Sequence, residues 1–144
     1  MKKFVHLNDL GDLQVPDRKN VDGKRVYVTP NGDYYPSITS ILGSQPKPGI
    51  DQWKAKVGEK EANRIINEST RIGTGVHTLC EHYLLNQNLR CDDKEILSVF
   101  NRLRFMLGNI NNIYGLEIPL FSDILRVAGT ADCIAEWNGM LSVI

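Results

Sequence analysis

A histidine and a glutamate lie one helical turn apart in the segment Gly73–Glu81, whose sequence is GTGVHTLCE. At positions i and i+4 of a helix, the side chains of His77 and Glu81 project from the same side. They would be close enough to share a metal ion or a metal-bound water. On an isolated helix such a pair is more often an ordinary boundary histidine beside a glutamate, so the motif alone leaves both interpretations open.

Asp132 is a second candidate metal ligand, because it follows a Gly-Thr-Ala sequence in a chiefly apolar segment that is predicted to be a strand. A carboxylate in such a strand is costly to bury without a partner. The Asn138-Gly139 pair predicts a tight hairpin, with Leu141 beginning a return strand beside Asp132. We expect the chain that continues this return strand to approach Asp132 and to share a cation with it.

Zinc and iron–sulfur sites are the competing metal interpretations. Cys80 and His82 could bind zinc with His77, but the three side chains do not converge from one helix. No second Cys/His cluster in the sequence completes a tetrahedral site. The three cysteines are Cys80, Cys91 and Cys133, whereas iron–sulfur clusters usually require four thiolates at suitable spacing. We therefore exclude both kinds of site.

Periodicity and turn signals predict the helices and strands that position these residues. A hairpin is expected around Asn31-Gly32, and Ser37 is expected to cap a short helix that ends at Gly43. Three longer helices follow, and two strands precede the Asn138-Gly139 turn. The helices are predicted from Asp51 to about Thr70, after Gly73, and from Asp93 to Asn111, and the strands at Leu116–Phe121 and Arg126–Trp137.

Length and composition indicate one hydrophobic core. The chain has 144 residues, of which 42% are hydrophobic, and this is enough for one core but scarcely for two. Seventeen basic residues balance seventeen acidic ones, so net charge does not indicate a polyanionic partner. A nuclease with an acidic metal site and local basic patches would have the same balance, so net charge does not exclude nucleic acid either.

The N-terminal sequence gives no sign of export. Residues 1–24 are polar with little periodicity, which predicts an irregular arm and no apolar secretory core. No apolar stretch approaches the roughly 20 residues that cross a bilayer, so no membrane partner is expected. Together with an odd number of cysteines that form no CxxC pair, this predicts an intracellular protein with reduced thiols.

Four basic residues are candidate contacts for a nucleic-acid backbone. Lys54, Lys60 and Arg64 lie on the outer face of the predicted Asp51–Thr70 helix, among glutamates. Mixed charges of this kind most often form a solvated helix face. Arg71 is the stronger candidate, because it lies directly before the Gly73–Glu81 segment.

Several motifs, taken in order along the chain, resemble those of the PD-(D/E)XK nucleases. The most similar branch is that of the RecB-like phage exonucleases, which are similar to the mitochondrial genome maintenance exonuclease. The resemblance covers roughly residues 26–144, and the ordered set is far more specific than any single motif. The motifs are YPSITSIL (Tyr35–Leu42), Trp53, RIGTGVH (Arg71–His77) with Glu81, EIP (Glu117–Pro119), AGTAD (Ala128–Asp132) and LSVI (Leu141–Ile144).

The resemblance implies a metal-dependent exonuclease with an α+β fold and a restriction-endonuclease-like core. In that fold an N-terminal hairpin and helices pack on a mixed central sheet. His77 and Asp132 correspond to metal ligands of the family, and Glu81 corresponds to its helical glutamate, a catalytic position. One or two Mg²⁺ or Mn²⁺ ions would support hydrolysis of single-stranded DNA, with Arg71 and the basic helix face contacting phosphates.

The family's next motif, Asp-x-Lys, normally follows a strand such as Leu141–Ile144 and is absent here. Residues 25–144 are therefore expected to form a partial nuclease domain, incomplete at its C-terminus and inactive by itself. The alternative function is a catalytically inactive fragment that binds DNA or a partner, self-associates, or pairs with a complementary C-terminal fragment. The expected setting is DNA repair or recombination in a bacterial or phage-infected cytoplasm, with mitochondria as the alternative.

Overall fold

The computed structural model describes residues 2–144, which form four helices and two three-stranded antiparallel sheets. The α+β class predicted from the sequence is therefore confirmed. No helix in this range combines the length and apolar character needed to span a membrane. The helices are α1 (Ile38–Ser44), α2 (Pro48–Val57), α3 (Glu59–Leu84) and α4 (Lys94–Leu107), and the strands are β1 (Asp17–Val21), β2 (Lys24–Val28), β3 (Tyr34–Pro36), β4 (Ile110–Ser122), β5 (Val127–Trp137) and β6 (Met140–Val143).

The chain divides into two compact units. The helical unit comprises the stretch ending at Phe4 together with Pro46–Asn109, and so contains α2, α3 and α4. The sheet unit comprises Val5–Gln45 and Ile110–Ile144, and contains α1 and all six strands. The sheet unit is therefore built from two separate stretches of sequence.

Aromatic side chains dominate the core of the helical unit. Tyr83 of α3 is buried and packs edge-to-face against Phe100 of α4, with ring centroids 5.8 Å apart. Phe4 packs against the other side of Tyr83 in the same geometry, at 5.1 Å. Edge-to-face contacts of this kind add to the free energy gained by burying each ring. The stripe predicted for α3 is confirmed at Val76 and Leu79, both of which are buried.

The boundary between α2 and α3 differs from the prediction. The expected helix from Asp51 to Thr70 is interrupted at Gly58, whose φ of 86° and ψ of 148° suit glycine alone. The next helix then continues without a break through Gly73. A glycine inside a helix costs only about 1 kcal/mol relative to alanine, which burial of the α3 stripe outweighs. Asp51 lies in the first turn of α2 and is not its cap, because the helix begins at Pro48.

Helix α4 follows its prediction closely. Asp93 is the N-cap, and its carboxylate accepts hydrogen bonds from the backbone N–H groups of Glu95 at 2.9 Å and Ile96 at 3.2 Å. The N–H group of Ile96 is the largest cause that lowers the pKa of Asp93, since it stabilises the charged form. The helix ends at Leu107, four residues before the predicted end at Asn111.

The predicted irregular arm, residues 1–24, contains strand β1, so the prediction was wrong for Asp17–Val21. This strand pairs with β2 through a tight turn at Asp22 and Gly23, both of which have positive φ. The sequence hid the strand because all five of its residues are exposed and show no apolar alternation. The hairpin predicted around Asn31-Gly32 is confirmed by the pairing of β2 with β3.

The second sheet has the order β4-β5-β6, and the Asn138-Gly139 hairpin predicted between β5 and β6 is confirmed. A mixed central sheet was expected, but within residues 2–144 both sheets are antiparallel. Parallel pairing is confined to two isolated bridges, His6 with Ile113 and Ser37 with Ala128. The strands of this unit are linked by local hairpins, and such connections produce antiparallel neighbours.

The core of the sheet unit joins its two sheets. Tyr27 is fully buried and packs with Tyr35 and Ala128. The Tyr27 hydroxyl also lies 3.0 Å from Oγ1 of Thr130 on β5. The Tyr35 hydroxyl donates a hydrogen bond of 2.7 Å to Asp123, beyond the end of β4. These contacts hold β5, the strand that carries Asp132, against the first hairpin.

Candidate metal centre

Two carboxylates face each other across β4 and β5. Leu116 pairs with Cys133 and Ile118 pairs with Ala131, so this register places Glu117 opposite Asp132. Each side chain offers a carboxylate oxygen, and these oxygens lie within 4.8 Å of one another. Both residues are exposed. The sheet unit therefore presents two oxygen ligands from neighbouring strands at one point of its surface.

Two carboxylates at this separation repel each other, and a divalent cation between them would relieve the repulsion. Carboxylate oxygens are the ligands that Mg²⁺ and Mn²⁺ prefer, and Mg²⁺ usually keeps several waters beside one or two protein carboxylates. The donor chemistry of Glu117 and Asp132 fits such an ion. Their exposure leaves room for water molecules around such an ion.

The backbone of Glu117 is strained. Its φ is +53° in the middle of β4, a conformation uncommon for any residue other than glycine, asparagine or aspartate. The left-handed conformation costs an L-residue about 1–2 kcal/mol. Strain of this kind persists where the surrounding structure enforces it, and it concentrates at functional sites. We read the outlier at Glu117 as support for a binding role.

Glu117 is the site residue that the sequence interpretation missed. It belongs to the EIP motif of the resemblance, but no role was assigned to it. The signal that could have found it is the strand register. Ser122 pairs with Val127 next to the turn between β4 and β5. At equal distances from this pair lie Glu117 on β4 and Asp132 on β5.

Asp132 influences its neighbour Cys133. That thiol is buried between the strands, and burial together with the negative charge of Asp132 raises its pKa to about 11. Thiolates bind soft metals and act as nucleophiles, and at neutral pH this side chain remains a protonated thiol. Cys133 therefore contributes to the packing of β5 and not to metal binding or nucleophilic attack.

His77 and Glu81 lie on α3 in the helical unit. They are one turn apart on a continuous helix, as predicted; His77 is exposed and Glu81 is half-buried. The neighbouring Thr78 hydroxyl donates a hydrogen bond of 3.1 Å to the Thr74 carbonyl, back along the helix. The helix therefore positions the two side chains on adjacent turns, and their role as metal-site residues stays a prediction.

Arg71, predicted to contact DNA, is surrounded by carboxylates. Its guanidinium donates to Glu68 at 2.7 and 3.1 Å, to Glu95 at 2.8 Å, and also to Asp93. The hydrogen bond from Arg71 is the main cause that lowers the pKa of Glu68, and the acidic surroundings in turn raise the pKa of Arg71. This network ties α3 to the start of α4. A phosphate would have to compete with these carboxylates, so its DNA contact stays a prediction.

The other basic candidates lie on both sides of the break at Gly58. Lys54 is on α2, whereas Lys60 and Arg64 are on α3, and all three are exposed. Arg64 forms an exposed ion pair with Glu61, at 2.8 Å. An exposed pair of this kind contributes little to stability and leaves the arginine accessible. The predicted single basic face is thus divided between two helices, and its contact with DNA stays a prediction.

Comparison with known proteins adds no family assignment. No protein-family model matches the chain. A search of characterised proteins also finds no match.

Proposed function

We propose that this chain belongs to a metal-dependent DNA exonuclease that hydrolyses phosphodiester bonds with Mg²⁺ or Mn²⁺. The observation that carries the proposal is the Glu117–Asp132 carboxylate pair, which faces solvent across two strands and includes a strained glutamate. The ordered motifs that resemble PD-(D/E)XK nucleases support the reaction class and single-stranded DNA as the substrate.

In this proposal Glu117 and Asp132 hold the cation through hard oxygen ligands. His77 and Glu81 of α3 are proposed metal-site residues on the strength of the family resemblance, His77 as a nitrogen ligand and Glu81 as an acceptor of hydrogen bonds from water. When bound, the cation would activate water and stabilise the charge that develops on the phosphate oxygens. The protein's part is to fix the ligands and to leave open positions for water and the phosphate.

We further propose an intracellular location, in keeping with the family resemblance. The cysteines Cys80, Cys91 and Cys133 all carry free thiols. Free thiols are typical of reducing compartments. DNA is the proposed partner, and repair or recombination is the proposed setting.

Metal titration tests the site directly. Calorimetry with Mn²⁺ would compare the wild type with Asp132→Asn, Glu117→Gln and His77→Ala. Each change removes a ligand, so we expect affinity to fall at least about tenfold. Asp17→Asn is the matched control, because it removes an exposed strand carboxylate from the same unit, and we expect no change. Wild-type affinity in Asp132→Asn would refute the site.

Cleavage of labelled single-stranded DNA in Mn²⁺ tests the activity. Because the Asp-x-Lys motif is absent from residues 1–144, we expect no cleavage by these residues alone. We expect a form extended through any natural downstream codons to cleave, and we expect EDTA or the Asp132→Asn variant of that form to abolish the cleavage. Normal cleavage by this variant would contradict the assigned role of Asp132. Mn²⁺ binding at Glu117 and Asp132 without cleavage by the extended form would favour the alternative, a DNA-binding module that is not an enzyme.

A further inference from the structure

Phe105 projects from the last turns of α4 into solvent. Its side chain is 87% exposed, and among the large hydrophobic residues in residues 2–144 only Ile124 is more exposed. Leaving a phenylalanine in water forgoes the free energy that burial of its ring would provide. The ring contributes little to the folded core, so its exposed position suggests a binding role.

An open groove lies beside the ring, with a volume of about 610 Å³, which is within the usual range for ligand sites. The walls combine one aromatic ring, one guanidinium, two amides and a glycine backbone, and none of these residues carries a carboxylate. They are Asn101, Arg104, Phe105, Gly108 and Asn109.

Positive charge is held at this groove by two contacts. The Arg104 guanidinium lies over the Tyr83 ring, 5.8 Å from its centre, in a cation–π contact that positions the side chain. The Lys2 ammonium donates a hydrogen bond of 2.6 Å to the carbonyl of Gly108, which lines the groove. All of these residues belong to the helical unit. The groove therefore joins an exposed aromatic face to two cations.

We propose that this groove binds an unpaired nucleotide of single-stranded DNA. The base stacks on Phe105, the amides of Asn101 and Asn109 hydrogen-bond its edge, and Arg104 with Lys2 binds the adjacent phosphate. Aromatic stacking beside a cationic groove is a general means of binding single strands. A protein partner would require a broad apolar patch, whereas this groove offers a single ring flanked by amides and cations. That combination suits a base and its phosphate. The inference rests on the proposed function for its class of substrate.

Binding is measured by fluorescence anisotropy with a labelled oligothymidylate of about 16 nucleotides. EDTA is present throughout, so that binding is separated from cleavage. Phe105→Ala removes the stacking surface, and we expect affinity to fall about 5- to 100-fold, whereas Phe105→Trp should retain it. Ile124→Ala is the matched control, because it removes an equally exposed hydrophobic side chain from the sheet unit. Arg104→Gln should reduce the slope of log affinity against log salt concentration by about one, as expected when one phosphate contact is lost.

Wild-type affinity in Phe105→Ala would overturn this inference, as would a wild-type protein that does not bind the oligonucleotide. A change of oligomeric state in Phe105→Ala, with DNA affinity unchanged, would assign the ring to contact with a second copy and also overturn it. The cleavage assay with Asp132→Asn keeps the two proposals separate. Phe105-dependent binding without cleavage by the extended form would refute the nuclease and retain the groove.

Discussion

Gly75 provides a sharp test of how α3 packs against α4. A Cβ atom built at Gly75 would overlap Cδ1 of Ile96 and lie 3.1 Å from Cγ1 and 3.2 Å from Cγ2 of the same side chain. Ile96 is itself buried, at 8% exposure, so it has little room to move. Gly73, two residues earlier in the same helix, has nothing within 4 Å of an added Cβ. The two glycines are therefore a matched pair.

The magnitudes follow from two opposing effects. Replacing a helical glycine with alanine gains about 1 kcal/mol of helix propensity at either position. Overpacking costs about 1–3 kcal/mol, and it applies to Gly75→Ala alone. We therefore expect Gly73→Ala to stabilise the protein by up to about 1 kcal/mol and Gly75→Ala to destabilise it by up to about 2 kcal/mol.

The assay is urea unfolding followed by helical circular dichroism. A third variant combines Gly75→Ala with Ile96→Val, which removes the overlapping Cδ1 methyl group. The single change Ile96→Val costs about 0.5–1.5 kcal/mol, and in the double variant we expect much of this cost to vanish. If Gly75→Ala proved as stable as Gly73→Ala, with additive effects in the double variant, the described packing of α3 on α4 would be wrong.

Other residues give further predictions. Phe100→Ala should lower the free energy of unfolding by about 3–5 kcal/mol in urea titrations, because the ring is 1% exposed. The hydrogen bond from Arg71 lowers the pKa of Glu68 in the folded protein. The stabilisation that this bond provides is therefore complete above the ordinary pKa of a carboxylate, and it is lost as the pH falls through the lowered pKa. The difference in melting temperature between wild type and Arg71→Gln should therefore shrink below about pH 4. Cys133, with its pKa raised to about 11, should react with thiol reagents far more slowly in the folded than in the urea-unfolded protein. Glu117→Gly should be more stable than Glu117→Ala in the same titrations, since glycine removes the strain at φ +53°, while both variants lose Mn²⁺ binding.

The features predicted correctly depend on neighbours in sequence. Asp93 caps α4 through hydrogen bonds to residues two and three positions away. Asn138-Gly139 requires positive φ at both positions, and few other residue pairs adopt this conformation readily. Gly58 and Gly73 show where such local reasoning fails. Gly58 interrupts a helix with its φ of 86°, whereas Gly73 lies inside the continuous helix α3.

The candidate site was only partly accessible from sequence for a related reason. Asp132 was found through a motif, but Glu117 becomes visible only when the register of two strands is known. The partners of Arg71 include Asp93 and Glu95, which are 22 and 24 residues away in sequence. Such contacts link Arg71 of α3 to the start of α4 at the protein surface, and residue type alone does not indicate them.

The division of the sheet unit into two stretches of sequence has a consequence for the order of folding. During synthesis, residues 46–109 emerge as one continuous stretch of sequence that contains α2, α3 and α4. The first hairpin must wait for β5, because Tyr27 contacts Thr130, which lies 103 positions later in the sequence. Closing so long a loop carries an entropic cost, and distant strand pairing slows folding. The helical unit is therefore expected to fold early, and the docking of the first hairpin on β5 to be one of the last steps.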